Sequence, residues 1–130
     1  MPEPLPVFVI DGARIDGLDG FWDEVERVLI PSAKWGRNLD ALADVLAGGF
    51  GTPKGGFVVR WVNAARSREV LGFAETERWL EQRLPDVHAS NRAEFARRLE
   101  HARNKRGETL FEALVDIFRG VPGVTFELVD

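Results

Sequence analysis

The stretch "KWGRNLDALADVLAGGFGTPKGGFVVRWV", Lys34–Val62, contains the transition on which the fold turns. Leu39, Leu42 and Leu46 recur at helical spacing behind Asn38, a residue type that caps helix N-termini, and the stripe stops at Gly48-Gly49. After a glycine-rich connection, Phe57–Val62 is a run of β-branched and aromatic residues that predicts a strand. A helix therefore feeds straight into a strand.

Two further runs resemble that strand: "VFVI" at Val7–Ile10 and "VTFELV" at Val124–Val129. The first is continuously apolar, as expected of a strand covered on both faces, and is followed by the turn signal Asp11-Gly12. The last alternates Val124, Phe126 and Leu128 against Thr125 and Glu127, so one of its faces can meet solvent. Leu18, Phe21, Trp22, Val25 and Leu29 predict a helix that stops before Pro31. Another opens at Thr109, with Glu112 as its capping-box partner, and buries Phe111, Leu114, Val115 and Phe118 before Gly120. With helices between the strands, the connections are crossovers, and the expected fold is α/β: a small three-stranded parallel sheet flanked by helices.

Gly72 to Gly107 differs in character. It reads "ETERWLEQRL", a break at Pro85-Asp86, then "SNRAEFARRLEHARNKRG", with Asn91 and Glu94 spaced as a capping box and Phe95, Leu99 and Ala102 as a narrow apolar stripe. One or two amphipathic helices, inserted before the last helix and strand, fit this pattern. Both signs of charge are interspersed along it, as on a solvated face.

A chain of 130 residues with 45% hydrophobic and 29% charged residues is expected to form one domain with a real core. Its net charge of -4 and pI near 5.3 disfavour nucleic acid or an anionic membrane as a general partner, and a basic partner is easier to accommodate. Without cysteine there is no disulfide framework, thiolate zinc site or cysteine nucleophile. The start "MPEPLPVFVI" lacks the basic residues and long apolar run of a secretory signal, and a cytosolic location is expected.

His88 and His101, the two histidines, lie in the charged segment without a nucleophile motif or metal-ligand spacing, so neither a catalytic residue nor a metal or cofactor site is expected. "GGFGTPKGGF", Gly48–Phe57, lacks the Gly-Lys-Ser/Thr and following helix of a phosphate loop; it reads as a connection. Asp40 and Asp44 are the conspicuous pair. One turn apart on one helix face, they repel by a few tenths of a kcal/mol, and only Asp40 falls in the first turn, where the helix dipole favours a carboxylate. From the residues alone they fit a solvated face, a binding face or an acid pair for catalysis.

"WGRNLDALADVLAGG" resembles the signature loop and helix of the barstar family, intracellular inhibitors of barnase-type microbial ribonucleases. Trp35, Gly36, Asn38, Leu39, Asp40, Ala41, Leu42, Asp44 and Gly48 stand in register with that pattern. "VFVIDGARI", "FVVRWVNAARSREVL" and Thr109–Val129 are similar to the family's other strands and helices, leaving Gly72–Gly107 as an insertion. The resemblance implies a non-enzymatic inhibitor, monomeric when free, that occludes a basic ribonuclease or related toxin without touching nucleic acid or membrane. Asp44 would be the central anion and Asp40 a second, with Gly36 and Asn38 in the loop that fits the cleft and Asp116 as a further acidic contact. Trp35 would be either an interface anchor or a core residue. Lys34 and Arg37 depart from the family's type member by adding positive charge beside the acids, and Ala43 and Gly49 stand where it has aromatics. The alternative is that the same fold serves as an interaction module for a different toxin or regulatory protein.

Overall fold

The computed structural model describes residues 4–48 and 50–130. Met1–Glu3 of the proline-rich start and Gly49, second of the closing glycines, lie outside them. The elements run β1 (Val7–Asp11), α1 (Leu18–Leu29), α2 (Leu39–Ala47), β2 (Phe57–Val62), α3 (Ala64–Val70), α4 (Phe73–Arg83), α5 (Arg92–Arg103), α6 (Leu110–Gly120) and β3 (Val124–Leu128). The strands form one parallel sheet in the order β1-β2-β3, with Val9 beside Arg60 and Arg60 beside Glu127.

Alternation along each strand divides the sheet. Ile10, Phe57, Val59 and Trp61 point into the main core with Leu18, Phe21, Val25, Leu42, Leu114 and Phe118. Trp61 is fully buried at its centre, its ring 5.2 Å from those of Phe21 and Phe111 and its Nε1 donating to Ser67 Oγ at 2.9 Å. The other face carries a cross-strand ion pair, Arg60 Nε to Glu127 Oε2 at 2.7 Å. β1 corrects the sequence expectation here. Val7 and Val9 are 48% and 42% exposed, so its apolar run is covered on one face only.

The helix ends explain themselves unevenly. Asn38 Oδ1 accepts from Ala41 N at 2.8 Å, and Gly48 closes α2 at φ +107°, a left-handed conformation suited to glycine. At α6, Thr109 Oγ1 accepts from Glu112 N at 3.2 Å, while the Glu112 carboxylate meets the Thr109 hydroxyl at 3.3 Å. The expected box at Asn91 and Glu94 does not form. Ala89–Asn91 is a 3-10 turn, so Asn91 is already in right-handed helical conformation (φ -107°, ψ -4°), and its side chain makes no cap bond. A side chain caps from extended backbone. Glu94 pairs with Arg97 instead.

Gly72–Gly107 folds into two helices, α4 and α5, packed as a hairpin around Leu80, Leu99 and Ala102. Arg103 clips them together through Glu77 at 3.4 Å and Glu81 at 3.0 Å. The hairpin is also tied into the main body. Glu75 Oε2 accepts from Leu18 N at 2.7 Å, capping α1, whose Gly17 offers no side chain for the purpose. Thr76 Oγ1 accepts from Leu110 N at 2.8 Å at the start of α6.

Candidate functional site

α2 lays Leu42, Val45 and Leu46 into the core and turns Asp40 and Asp44 outward, both exposed. The helix ends at Ala47 with no basic residue in its last turn, so the Asp44 carboxylate sits at the end where the helix dipole disfavours it. Among the described residues neither acid has a cation within 4.0 Å. Elsewhere Glu24, Glu26, Glu75, Glu77, Glu81 and Glu94 each have an arginine partner.

The loop before α2 is held from both sides. Trp35 is half-buried against the main core, its ring edge-on to Trp22 at 5.4 Å and its Nε1 donating to Glu26 Oε1 at 3.2 Å. Arg37, at φ +49°, turns its guanidinium back to Asp23 at 2.8 Å and to Glu26. Its charge is thereby neutralised against α1, away from Asp40 and Asp44. Asn38 both caps α2 and donates from Nδ2 to Gly36 O at 3.3 Å. A Cβ on Gly36 would lie 2.9 Å from that Nδ2, so a larger residue there would have to displace the Asn38 side chain.

Asp116 is exposed on α6, which packs beside α2. Its neighbour Glu108 has a carboxyl pushed above its ordinary range, first by desolvation and then by the like charge of Asp116, with Arg98 opposing. Arg98 in turn lines a cleft of about 270 Å³ between the start of α2 and the α4–α5 hairpin, opposite Asp40. The structure thus brings Asp40 and Asp44 onto one open face, with Asn38 and Gly36 at its edge and Asp116 on the adjoining helix. It does not bring the Trp35 ring into the open, because that ring is committed to α1.

Residues that the sequence reading did not assign to the site line the same cleft. Trp79 packs against both cores, with the guanidinium carbons of Arg83 and Arg98 at 5.3 and 5.8 Å from its ring, and Phe95 forms a further wall. Their signal was present in the spacing of Trp79 with Arg83 and of Phe95 with Arg98, i,i+4 and i,i+3 pairs in helical sequence.

A family model described as Barstar (barnase inhibitor) matches residues 5–99. The chain belongs to the barstar family. That family is one of ribonuclease inhibitors rather than enzymes, and its three-stranded parallel architecture is the one found here. The matched span takes in the whole of α2 and its loop, α4, and α5 as far as Leu99, and stops before α6 and β3. No curated protein shows a significant match to the chain. Among the described residues no group of three His, Cys, Asp or Glu side chains is arranged to hold a metal ion, and no helix is long and apolar enough to cross a membrane.

Proposed function

We propose that this barstar-family chain binds a basic microbial ribonuclease and blocks its active site, with Asp40 and Asp44 standing in for the phosphates of RNA. The observation that carries this reading is the pair itself. Two exposed carboxylates lie one turn apart, with no cation within 4.0 Å among the described residues, and the second sits at the unfavourable end of its helix. Their few tenths of a kcal/mol of mutual repulsion is small beside what a desolvated opposite charge returns at an interface.

Asp44 is the central anion and Asp40 the second, while Asp116 makes a peripheral contact from α6. Gly36 and Asn38 shape the loop that enters the cleft, and Trp35 anchors that loop from behind. Because Trp35, Arg37 and Asn38 already fix the loop, little ordering is left to do on binding. No bond is made or broken, and no cofactor is needed. Acting where the cell's own or a neighbour's nuclease would attack RNA, the protein serves as a cytoplasmic antitoxin, monomeric when free.

Titration of a barnase-class ribonuclease with the purified protein, at low and high salt, tests this. Stoichiometric inhibition is expected, with association slowing as salt rises. Asp44→Ala is expected to weaken inhibition by about 2 kcal/mol or more, a magnitude taken from interfaces of this kind rather than from this chain. Inhibition indifferent to both salt and Asp44 would rule the mechanism out.

A further inference from the structure

The cleft beside Asp40 is charged on both sides. Asp40 and Leu39 form one wall; Arg83, Arg98, Trp79 and Phe95 form the other. Neither guanidinium has a carboxylate within 4.0 Å among the described residues, although most of the other arginines do. Both lie over the Trp79 ring, and Arg98 lies over Phe95 as well, at 5.2 Å. Aromatic stacking engages the face of a guanidinium and leaves its N–H edge available, the edge that grips a carboxylate in bidentate fashion. Two cations thus sit against the Trp79 ring in the lining of a cleft that also includes Asp40 of the acidic helix.

We propose that this cleft receives an aspartate- or glutamate-bearing segment of the protein bound by α2, with Arg83 and Arg98 as its counter-charges. The reading rests on the inhibitor function above and adds a constraint to it. The partner is bipolar: a cationic centre faces Asp40 and Asp44, and an acidic segment lies immediately beside it. The hairpin selects among basic nucleases, since one with a cation at that point would meet Arg83 and Arg98 and be repelled.

Two measurements on the 130-residue chain separate this from the α2 reading. In the first, hexaglutamate with blocked ends is titrated into labelled protein while the Trp79 indole N–H and the Arg83 and Arg98 Nε–H signals are followed by NMR. Those signals are expected to move, with Arg66 and Arg97 unaffected. The double variant Arg83→Gln/Arg98→Gln is expected to bind the peptide at least tenfold more weakly, whereas Asp40→Asn binds it more tightly because a like charge is gone. Shifts spread evenly over the exposed arginines, no shifts, or tighter binding of a hexanucleotide than of the peptide would overturn the proposal.

In the second, the inhibited ribonuclease is titrated with the same variants. Arg83→Gln/Arg98→Gln is expected to weaken inhibition about tenfold, and Asp40→Asn also weakens it, opposite in sign to its effect on the peptide. Unchanged inhibition by the arginine variant refutes the cleft and leaves the α2 mechanism standing. Loss with the arginine variant but none with Asp44→Ala refutes the α2 mechanism instead. Both arginines lie outside the buried core, and equal urea midpoints for variant and parent confirm that folding is unaffected.

Discussion

On the proposed function, the local cost of Asp44 is met outside the chain, whereas Glu75 is the reverse, a charged residue absorbed by the fold. Its carboxylate reaches across 57 residues to the first N–H of α1 while pairing with Arg78 at 2.6 Å. The Arg78 hydrogen bond is the chief reason that its carboxyl is held below the ordinary glutamate range, with the Leu18 N–H adding to it and desolvation opposing. Glu75→Ala is expected to destabilise the protein by about 0.5–2 kcal/mol, the range for loss of a helix N-cap, with ribonuclease inhibition per folded molecule unchanged. Urea unfolding followed by tryptophan fluorescence checks this. Asn38 and Thr109 were legible as caps in the sequence because their partners lie three residues on. Glu75 and Thr76 were not, because nothing in a one-dimensional pattern relates residue 75 to residue 18.

Among the elements, the α4–α5 hairpin departs furthest from its sequence reading. Its charged, weakly amphipathic helices suggest an appendage, yet it caps α1 through Glu75 and α6 through Thr76 and seats Trp79 against the main core. Replacing residues 73–107 by a short flexible linker is therefore expected to cost several kcal/mol, because it removes two caps at about 0.5–2 kcal/mol each together with the burial of Trp79 and Leu80. Against a total of about 5–15 kcal/mol for a typical domain, such a loss lowers the urea midpoint markedly. A truncated chain that unfolds at the parent midpoint would show the hairpin to be a true appendage. Loss of binding on truncation would by itself say nothing about a contact, which is why point substitutions at Arg83 and Arg98 are the better probe. α2 behaves oppositely: its stripe, cap and closing glycine are all local, and it forms where its sequence predicts.

For the molecule as a whole, the carboxyls of Asp11, Glu24 and Glu75 give stability a defined dependence on pH. Asp11 is lowered chiefly by the Asn63 side-chain hydrogen bond. Burial would raise Glu24, but its hydrogen bonds from Arg27 and the Asp11 N–H, with the nearby charges of Arg27 and Arg14, hold it low. Ordinary values are 3.8 for Asp and 4.5 for Glu, so as pH falls below them the unfolded chain takes up protons before the folded one does. The stabilisation is complete above that window and is lost as pH falls through the lower folded values. Glu108 runs the other way: its raised carboxyl contributes fully below 4.5 and progressively less as pH rises through its folded value. The urea midpoint is expected to drop between pH 6 and pH 3, and Glu108→Gln to raise it at pH 7 and by less at pH 4.

What the sequence determined by itself was carried by short-range periodicity, except where a neighbouring turn overrode it, as at Asn91 and Glu94. The three strands, the stripes of α1, α2 and α6, the crossovers and hence the parallel sheet, and the exposed Asp40–Asp44 pair all follow from residues within a few positions of one another. Tertiary structure decided what depends on which surfaces meet. It left the outer face of β1 open though its residues are apolar, turned Arg37 away from α2 onto Asp23 and Glu26, and committed Trp35 to α1. It also set Arg83 and Arg98 across a cleft from Asp40. Hydrogen bonds and charges act over a few ångströms of space, whatever the distance along the chain, and only the folded packing brings those residues within reach of each other.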